Sequence, residues 1–314
     1  MLINKLSLDE YISGYKNFVS HAHTDHIKGI KKYAKIIASK ETVELINTRF
    51  KKNVVEEENK YNIEMLDAGH ILGSKQLLIK LDGFDLLYSG DYQMEKNITC
   101  KEIEIKNADI LLIDSTYPYR DIIFDEKNII IDKIQRFVKE YTKKGIVLFG
   151  TYSLGKAQEI IKIVNDIGIK PIVDKRIHEI NQVYIKNNVS LDYASYFKDS
   201  SEISEIVRDN FVGIVSINKL YDMANKISFA YGKKVYTAVA TGFAKLFKFN
   251  TTMQFDLSDH ADFKQAIEYI NAVNPKKIYT YGNNASIFAE ELNSIGIRAE
   301  PIEELYNYNK ISSI

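Results

Sequence analysis

The sequence predicts an α/β fold, and two features of its pattern carry that prediction. Short apolar runs bounded by turn residues fill the first third of the chain, and each run has the length of a β-strand. From Glu126 onwards, segments with helical spacing of apolar residues alternate with short apolar runs, which is typical of parallel α/β units. The 314 residues, 45% of them hydrophobic, are enough for a sizeable core or for one domain that carries a large insertion.

The order of elements follows from the same pattern. Strands are predicted at 17–20, 35–39, 63–68, 76–81, 85–89, 108–114, 145–150, 170–174, 211–217, 234–240 and 276–281. Helices are predicted at 126–145, 153–168, 262–274 and 285–296. Ser153 is the predicted N-cap of the second helix, since its side chain can accept a hydrogen bond from the first turn.

Composition removes several classes of protein. Lys and Arg balance Asp and Glu at 42 each, so the strongly basic signature of many nucleic-acid binders is missing. The sequence has no run of about 18 uncharged apolar residues and no signal peptide, so we expect a cytoplasmic protein without a membrane partner. Cys100 stands alone, which excludes an internal disulfide and a cysteine-based zinc site. Any transition metal must therefore be held by histidines and carboxylates.

The segment FVSHAHTDHIKG gathers four potential metal ligands in one turn. His21, His23, Asp25 and His26 follow directly after a predicted buried strand, and in a loop their side chains can converge. The alternative is a cluster of solvated surface histidines.

Further potential ligands follow other predicted strands. His70 lies in LDAGHILGS, Asp91 in LLYSGDYQ and His260 after MQFDLS. A single histidine of this type is more often structural than a ligand, but the conjunction of five strand-end histidines favours a metal site. His178, on a predicted helix, joins no such pattern and is interpreted as a surface or structural residue.

Together, HAHTDH, AGHILGS, SGDY and LSDHAD resemble the motifs of the metallo-β-lactamase superfamily. DSTYP at 114–118 and GTYSLGKAQEI at 150–160 are similar to segments of its nucleic-acid-processing β-CASP branch, which includes archaeal exonuclease-like proteins, RNase J, cleavage-and-polyadenylation nucleases, Artemis-type proteins and ligase-associated exonucleases. The resemblance implies an αββα metallo-β-lactamase sandwich with an inserted α/β β-CASP cassette. The implied domains are 1–120 and 251–314 for the metallo-β-lactamase domain and 121–250 for the cassette.

The resemblance also implies a ligand set for two Zn²⁺ ions per chain, with Mn²⁺ as an alternative metal. The first ion would be held by His21, His23 and His70, the second by Asp25, His26 and His260, with Asp91 bridging both. Asp9 is similar to the acid that braces the histidine loop, and Asp114 to an acid that hydrogen-bonds a metal-bound histidine. For both aspartates, a turn or cap role is the alternative.

At one position the sequence departs from RNA-cleaving members, which carry His-Gly where this chain has Tyr281 and Gly282. Tyr281 either donates a hydrogen bond to the reacting phosphate or packs in the interior. Two cations about 3.5–4 Å apart lower the pKa of a shared water and neutralise charge that develops on a phosphate. We expect Asp25 to orient the nucleophile and His260 to help place the phosphate, while proton donation to the leaving group stays open between metal-bound water, Tyr281 and Asp114.

The helix start near Ser153 and Lys156 is a further candidate for phosphate binding, or else only a place of close packing. The aromatic residues Tyr152, Phe243, Phe247 and Phe249 either stack bases or belong to the core.

The predicted function is a metal-dependent nuclease for DNA or RNA, acting as an exonuclease in processing or repair, with a slight preference for DNA. The alternatives are an RNA-processing nuclease, a thioester or lactone hydrolase, and a non-catalytic binding subunit. The sequence leaves the direction of digestion, 5′-phosphate preference, native metal and formation of a homodimer open.

Overall fold

The structure is a computed structural model that describes residues 1–3, 5–57, 62–196 and 200–303. The chain folds into two units. Unit 1 comprises Met1–Ile123 and His260–Ile314, and unit 2 comprises Phe124–Asp259. Within the described residues, no helix is long and apolar enough to cross a membrane.

The elements are numbered along the chain. Those of the first part of unit 1 are β1 (Leu2–Ile3), β2 (Leu6–Leu8), β3 (Lys16–Phe18), β4 (Lys35–Ile36), α1 (Lys40–Phe50), β5 (Val55–Glu56), β6 (Ile63–Asp67), β7 (Lys75–Leu81), β8 (Phe84–Tyr88) and β9 (Ile110–Asp114). Unit 2 contains α2 (Lys127–Tyr141), β10 (Ile146–Thr151), α3 (Lys156–Asn165), β11 (Ile172–Val173), α4 (Lys175–Lys186), β12 (Ala194–Ser195), α5 (Ser200–Ile206), β13 (Val212–Ser216), α6 (Leu220–Tyr231), β14 (Val235–Ala240) and β15 (Met253–Phe255). Unit 1 resumes with α7 (Phe263–Val273), β16 (Lys277–Tyr281), α8 (Ala285–Ser294) and β17 (Ala299–Pro301).

Unit 1 is built on a mixed six-stranded sheet with the order β17-β16-β9-β8-β7-β6. Strands β8, β9, β16 and β17 pair in parallel, whereas β7 is antiparallel to both of its neighbours. It follows that β6, β8, β9 and β16 all run in one direction. A smaller sheet has the order β1-β2-β3, and β4 pairs with β5.

Both faces of the large sheet are covered, as the alternation of side chains along β7 illustrates. Leu77 and Ile79 point into a core shared with Leu8 and Phe18 of the small sheet. Leu78, on the opposite face, joins a core that contains residues of α7 and α8, among them Phe288. Because both faces are buried, the central strands are rich in Leu and Ile rather than alternating with polar residues.

Unit 2 is a parallel α/β unit, as the strand and helix alternation predicts. Its six-stranded sheet has the order β12-β11-β13-β10-β14-β15, and every strand pair in it is parallel. The predicted helices and strands on both sides of residue 126 are confirmed, with ends shifted by a few residues.

The predicted N-cap of α3 is wrong. The helix begins at Lys156 with Gly155 as its N-cap, and the Gly155 amide donates a 2.8 Å hydrogen bond to Oε1 of Gln158. Gly155 has φ of +88°, a conformation that favours glycine over serine. Ser153 instead shares a 2.7 Å hydrogen bond with the Ser216 hydroxyl.

Candidate metal centre

Strand direction brings the polar strand-end residues of unit 1 together. His70 follows β6, Asp91 follows β8, and Asp114 and Tyr281 are the last residues of β9 and β16. Since these four strands run the same way, their carboxyl ends meet at one edge of the sheet, where polar groups of α/β proteins commonly form sites. His260 is tied to the same edge by Gln93, which follows Asp91 by two residues. Gln93 Nε2 donates a 3.0 Å hydrogen bond to the carbonyl oxygen of His260.

Three histidine nitrogens and one carboxylate form a first cluster. His23 Nδ1 lies 3.0 Å from His21 Nε2 and 3.1 Å from His70 Nε2. Asp91 Oδ2 lies 3.6 Å from His21 Nε2 and 3.8 Å from His70 Nε2. One ligand atom from each of these residues lies within 4.8 Å of every other, so the four could hold a metal ion.

A second cluster shares the same carboxylate oxygen. Asp91 Oδ2 is 3.2 Å from His26 Nε2 and 3.8 Å from His260 Nε2. Asp25 Oδ2 is 3.6 Å from His26 Nε2, and its side chain is 71% exposed, whereas His26 is buried. The Asp25 carboxylate therefore lies on the solvent side of this cluster.

The donor set fits metal ions of the zinc type. Ligand atoms on one tetrahedral zinc, at bonds of about 2.0–2.1 Å, are separated by about 3.4 Å. The distances between 3.0 and 3.8 Å in both clusters bracket that value. Imidazole nitrogens and carboxylate oxygens suit Zn²⁺ and Mn²⁺, and the donor chemistry does not select between them.

Asp9 organises the loop behind the first histidines. Its Oδ1 accepts a 2.7 Å hydrogen bond from the Ser20 amide, and its Oδ2 accepts 2.7 Å bonds from the Ser20 and Tyr88 hydroxyls. Oδ2 also lies 2.7 Å from His26 Nδ1, which leaves Nε2 of His26 facing Asp91. A partner on one ring nitrogen fixes the tautomer and orientation of a metal-binding histidine. Asp9 adopts φ of +55°, a conformation that aspartate tolerates better than most residues.

Asp114 lies beside Nδ1 of His260 in the same way that Asp9 lies beside Nδ1 of His26. Its Oδ2 lies 3.2 Å from His260 Nδ1, and its Oδ1 accepts a 2.9 Å hydrogen bond from the Thr116 hydroxyl. Burial and the nearby Asp91 carboxylate raise the pKa of Asp114, although the bond to His260 opposes the shift.

Burial and close charges determine the protonation of the two inner histidines. Burial lowers the pKa of His21 well below its usual value, and His26 adds to this effect. Burial also acts to lower the pKa of His26, but the carboxylates of Asp91 and Asp9 outweigh it and raise that pKa. For Asp91, burial is outweighed by His26 and His260, which lower its pKa. An ionised carboxylate among several imidazoles is an environment that attracts a cation.

Tyr281 lies within the core of unit 1 and is only 8% exposed. Its ring packs on Tyr88 with centroids 4.9 Å apart, and its hydroxyl is 3.4 Å from Ser89 Oγ. Burial, followed by the charges of Asp114 and Asp91, raises the pKa of the phenol, so it stays protonated. The ring therefore packs in the interior, which is one of the two roles expected for Tyr281. The other role, a hydrogen bond to the reacting phosphate, stays a prediction.

Lys156, the other predicted phosphate contact, is buried inside unit 2. Its Nζ lies 2.6 Å from Glu159 Oε2 and 3.4 Å from Asp259 Oδ2, and Lys127 Nζ lies 2.9 Å from Glu159 Oε1. Burial acts to lower the pKa of Lys156, but the carboxylates of Asp259 and Glu159 outweigh it and raise that pKa. With its ammonium engaged in this way, Lys156 is an interior residue of unit 2, and the phosphate role of Ser153 and Lys156 stays a prediction. His178 lies 3.1 Å from the Tyr193 hydroxyl, also in unit 2.

Sequence reasoning missed the residues that hold the ligands in place. Ser20 Oγ lies 3.0 Å from His21 Nδ1, and Asn97 donates a 2.9 Å hydrogen bond from Nδ2 to the His70 carbonyl oxygen. The Tyr88 hydroxyl donates a hydrogen bond to Asp9, and the Gln93 side chain donates one to the His260 carbonyl oxygen. Ser20, Tyr88 and Gln93 stand within three residues of a predicted ligand, and that proximity was the one signal available in the sequence.

Fold and site together define an α/β protein with a histidine and carboxylate cluster that could bind metal ions. No family model matches the chain. A probable DNA ligase of Opitutus terrae is 26% identical over 314 aligned residues, covering 95% of this chain and 30% of that protein. An RNase J-like protein of Methanocaldococcus jannaschii is 30% identical over 179 residues, covering 47% and 42%. The DNA cross-link repair protein SNM1 of Arabidopsis thaliana is 21% identical over 308 residues, covering 87% and 62%.

These homologues are nucleases of the β-CASP branch of the metallo-β-lactamase superfamily, which confirms the resemblance indicated by the motifs of this chain. The chain spans less than two thirds of the length of each of the three relatives. A solved structure of a protein of unknown function from Enterococcus faecalis V583 has a similar fold, with a TM-score of 0.61 at 12% identity over 91% of this chain and 78% of that one.

Proposed function

We propose that the chain is a metal-dependent phosphodiesterase that cleaves DNA or RNA. In this proposal unit 1 is an αββα metallo-β-lactamase sandwich and unit 2 is the β-CASP cassette. The observation that carries the proposal is the convergence of four histidines, His21, His26, His70 and His260, on the single carboxylate oxygen Asp91 Oδ2 from distant parts of the sequence. His23 lies against His70, and Asp25 lies against His26.

Two Zn²⁺ ions are the proposed cofactors, and Mn²⁺ is the alternative. The residues proposed to hold the first are His21, His23 and His70, and those for the second are Asp25, His26 and His260, with Asp91 between them. When bound, such ions lower the pKa of water and neutralise negative charge on the phosphate. The sharing of Asp91 Oδ2 by both clusters supports two ions rather than one.

The protein groups have separate tasks in this reaction. Asp25 is the exposed carboxylate of the site and accepts a hydrogen bond from the attacking water, which orients its lone pair. Asp9 and Asp114 keep the rings of His26 and His260 aimed at Asp91. The protonated Tyr281 hydroxyl and Asp114 are the two protein groups proposed for proton donation to the leaving alkoxide.

The experiment that tests the proposal combines metal analysis with cutting assays on the purified full chain. Labelled single-stranded DNA and RNA of matched sequence are incubated with wild type, Asp25→Ala, His260→Ala and His178→Ala. We expect about two equivalents of metal, and cutting that is lost in the first two variants but retained in His178→Ala. Circular dichroism checks folding. A folded, metal-loaded wild type that cuts neither strand would overturn the proposal.

The matched oligonucleotides also decide between DNA and RNA, and the position of the label decides between removal of single nucleotides and internal cutting. The exonucleolytic mode and the slight preference for DNA stay predictions. A thioester substrate included in the same assay tests the small-molecule alternative.

A further inference from the structure

Unit 2 carries two exposed aromatic rings on the loop between β14 and β15. Phe243 is 36% exposed and Phe247 is 60% exposed. Their ring centroids lie 6.3 Å apart with an interplanar angle of 36°. Leu246, between them in sequence, is 39% exposed as well. We call Phe243 and Phe247 the aromatic platform.

We propose that the aromatic platform stacks the bases of a single-stranded nucleic acid. This inference rests on the proposed function and extends it, because it names a surface outside the metal centre that holds the substrate strand. Base stacking on aromatic side chains is tolerant of sequence, since every base has a π-face.

Hydrogen bonds to the backbone organise the loop that carries the platform. Gln254 Nε2 donates to the carbonyl oxygens of Ala244 at 2.7 Å and Phe247 at 3.0 Å, and its Oε1 accepts a 3.0 Å bond from the Phe249 amide. Thr241 Oγ1 accepts from the Phe243 amide at 3.3 Å, and the Phe247 amide donates to the Phe243 carbonyl oxygen at 2.9 Å. A loop organised in this way loses little entropy when a base is bound.

The charge around the platform favours a polyanion. Residues 241–252 contain Lys245 and Lys248 and no Asp or Glu. Both lysines are exposed, and Lys245 Nζ lies 3.5 Å from Asp256 Oδ2 outside the segment. Lysines that alternate with aromatic residues suit a single strand, because its phosphates and bases alternate along the chain. A purely apolar docking surface for another protein has no need of this alternation.

The test measures binding separately from cutting. Fluorescence anisotropy of the metal-loaded full chain is recorded with labelled phosphorothioate DNA and RNA oligonucleotides, which resist cleavage. Phe247→Ala is expected to weaken binding about tenfold, since stacking contributes about 1–3 kcal/mol per base. Phe247→Trp should bind like wild type, whereas Phe247→Leu should resemble Phe247→Ala because leucine is apolar but has no π-face. Phe229→Ala is the matched control, because Phe229 is 92% exposed on α6.

Three results would overturn the inference. They are a wild type that binds neither oligonucleotide, a Phe247→Leu variant that binds like wild type, and a Phe247→Ala variant that dissociates a dimer in sedimentation. The last would assign the platform to an interface between copies of this chain.

A second substrate keeps the inference distinct from the proposed function. Bis(p-nitrophenyl) phosphate contains no base, so its hydrolysis depends on the metal centre alone. We expect the platform variants to hydrolyse it at the wild-type rate. Wild type that neither hydrolyses this compound nor cuts nucleic acid would overturn the proposed function. If the Phe247 variants still change oligonucleotide affinity as expected in that case, the inference about the aromatic platform is retained.

Discussion

Replacement of Asp9 by asparagine probes how the metal centre is held. The substitution keeps the shape of the side chain and tolerates the φ of +55° at this position. It removes the negative charge and turns one carboxylate oxygen into an NH₂ donor. Oδ2 faces three donors, from Ser20, Tyr88 and His26, and Oδ1 faces the Ser20 amide. In either orientation of the amide, the NH₂ group therefore points at a donor.

The magnitude follows from these four contacts. A hydrogen bond to a charged group contributes about 1.5–3 kcal/mol, and a buried donor without an acceptor adds a cost of similar size. With at least one such bond lost in the Asp9→Asn variant, we expect a fall in the free energy of unfolding of about 2–4 kcal/mol. His26 also loses the partner that orients it, and such losses typically weaken metal binding or activity about 10- to 100-fold.

Two measurements check this expectation. Urea unfolding gives the stability, and titration with zinc against a competing chelator gives the metal affinity. Asp109→Asn is the control, because Asp109 accepts hydrogen bonds from Asp85 and Lys276 at the opposite end of β9 from Asp114. The control should leave zinc affinity unchanged. If Asp9→Asn loses stability but binds zinc like wild type, Asp9 is only a structural residue and the reasoning is wrong.

Other predictions concern the partners of the metal centre and the ion pairs of unit 2. Tyr88→Phe removes one hydrogen bond to the Asp9 carboxylate and should cost about 1.5–3 kcal/mol in urea unfolding, with a smaller loss of zinc affinity than Asp9→Asn. Asp114→Asn should reduce the turnover of bis(p-nitrophenyl) phosphate about 10- to 100-fold, while circular dichroism stays that of wild type. Lys156→Met removes one of the two ammonium groups that pair with the buried Glu159 and should destabilise the chain by about 3–5 kcal/mol in urea, whereas an unchanged midpoint would contradict the structural role of Lys156. Chelation of the metal should lower the melting temperature in calorimetry, because an ion present at a hundredfold excess over its Kd stabilises by about 2.7 kcal/mol, and added zinc should restore it.

Much of the fold could be predicted because the elements carry local signals. α2 and α7 have strong helical periodicity, and Asp262 caps α7 by accepting a hydrogen bond from the Gln265 amide, as a sequence pattern can indicate. The start of α3 could not be predicted in the same way. Ser153 has the right chemistry for a cap, but Gly155 allows the positive φ that the chain adopts there.

Lys156 illustrates a different limit of sequence reasoning. A lysine at the start of a helix after a glycine favours phosphate binding when only neighbours in sequence are considered. In the structure Asp259, more than a hundred residues away, and Glu159 on the same helix surround the ammonium instead. Long-range pairs of this kind carry no local signal.

For the candidate site, the residue types and their positions after strands are properties of the sequence alone, and they sufficed to select the histidines, Asp25 and Asp91. The common direction of β6, β8, β9 and β16 is a property of the tertiary structure, and it brings His70, Asp91 and Asp114 to one edge of the sheet. The hydrogen bonds from Ser20 and Tyr88 to Asp9 likewise exist only in the folded chain. The physical reason is that ligand chemistry belongs to single side chains, whereas the distances between ligands depend on packing between segments far apart in sequence.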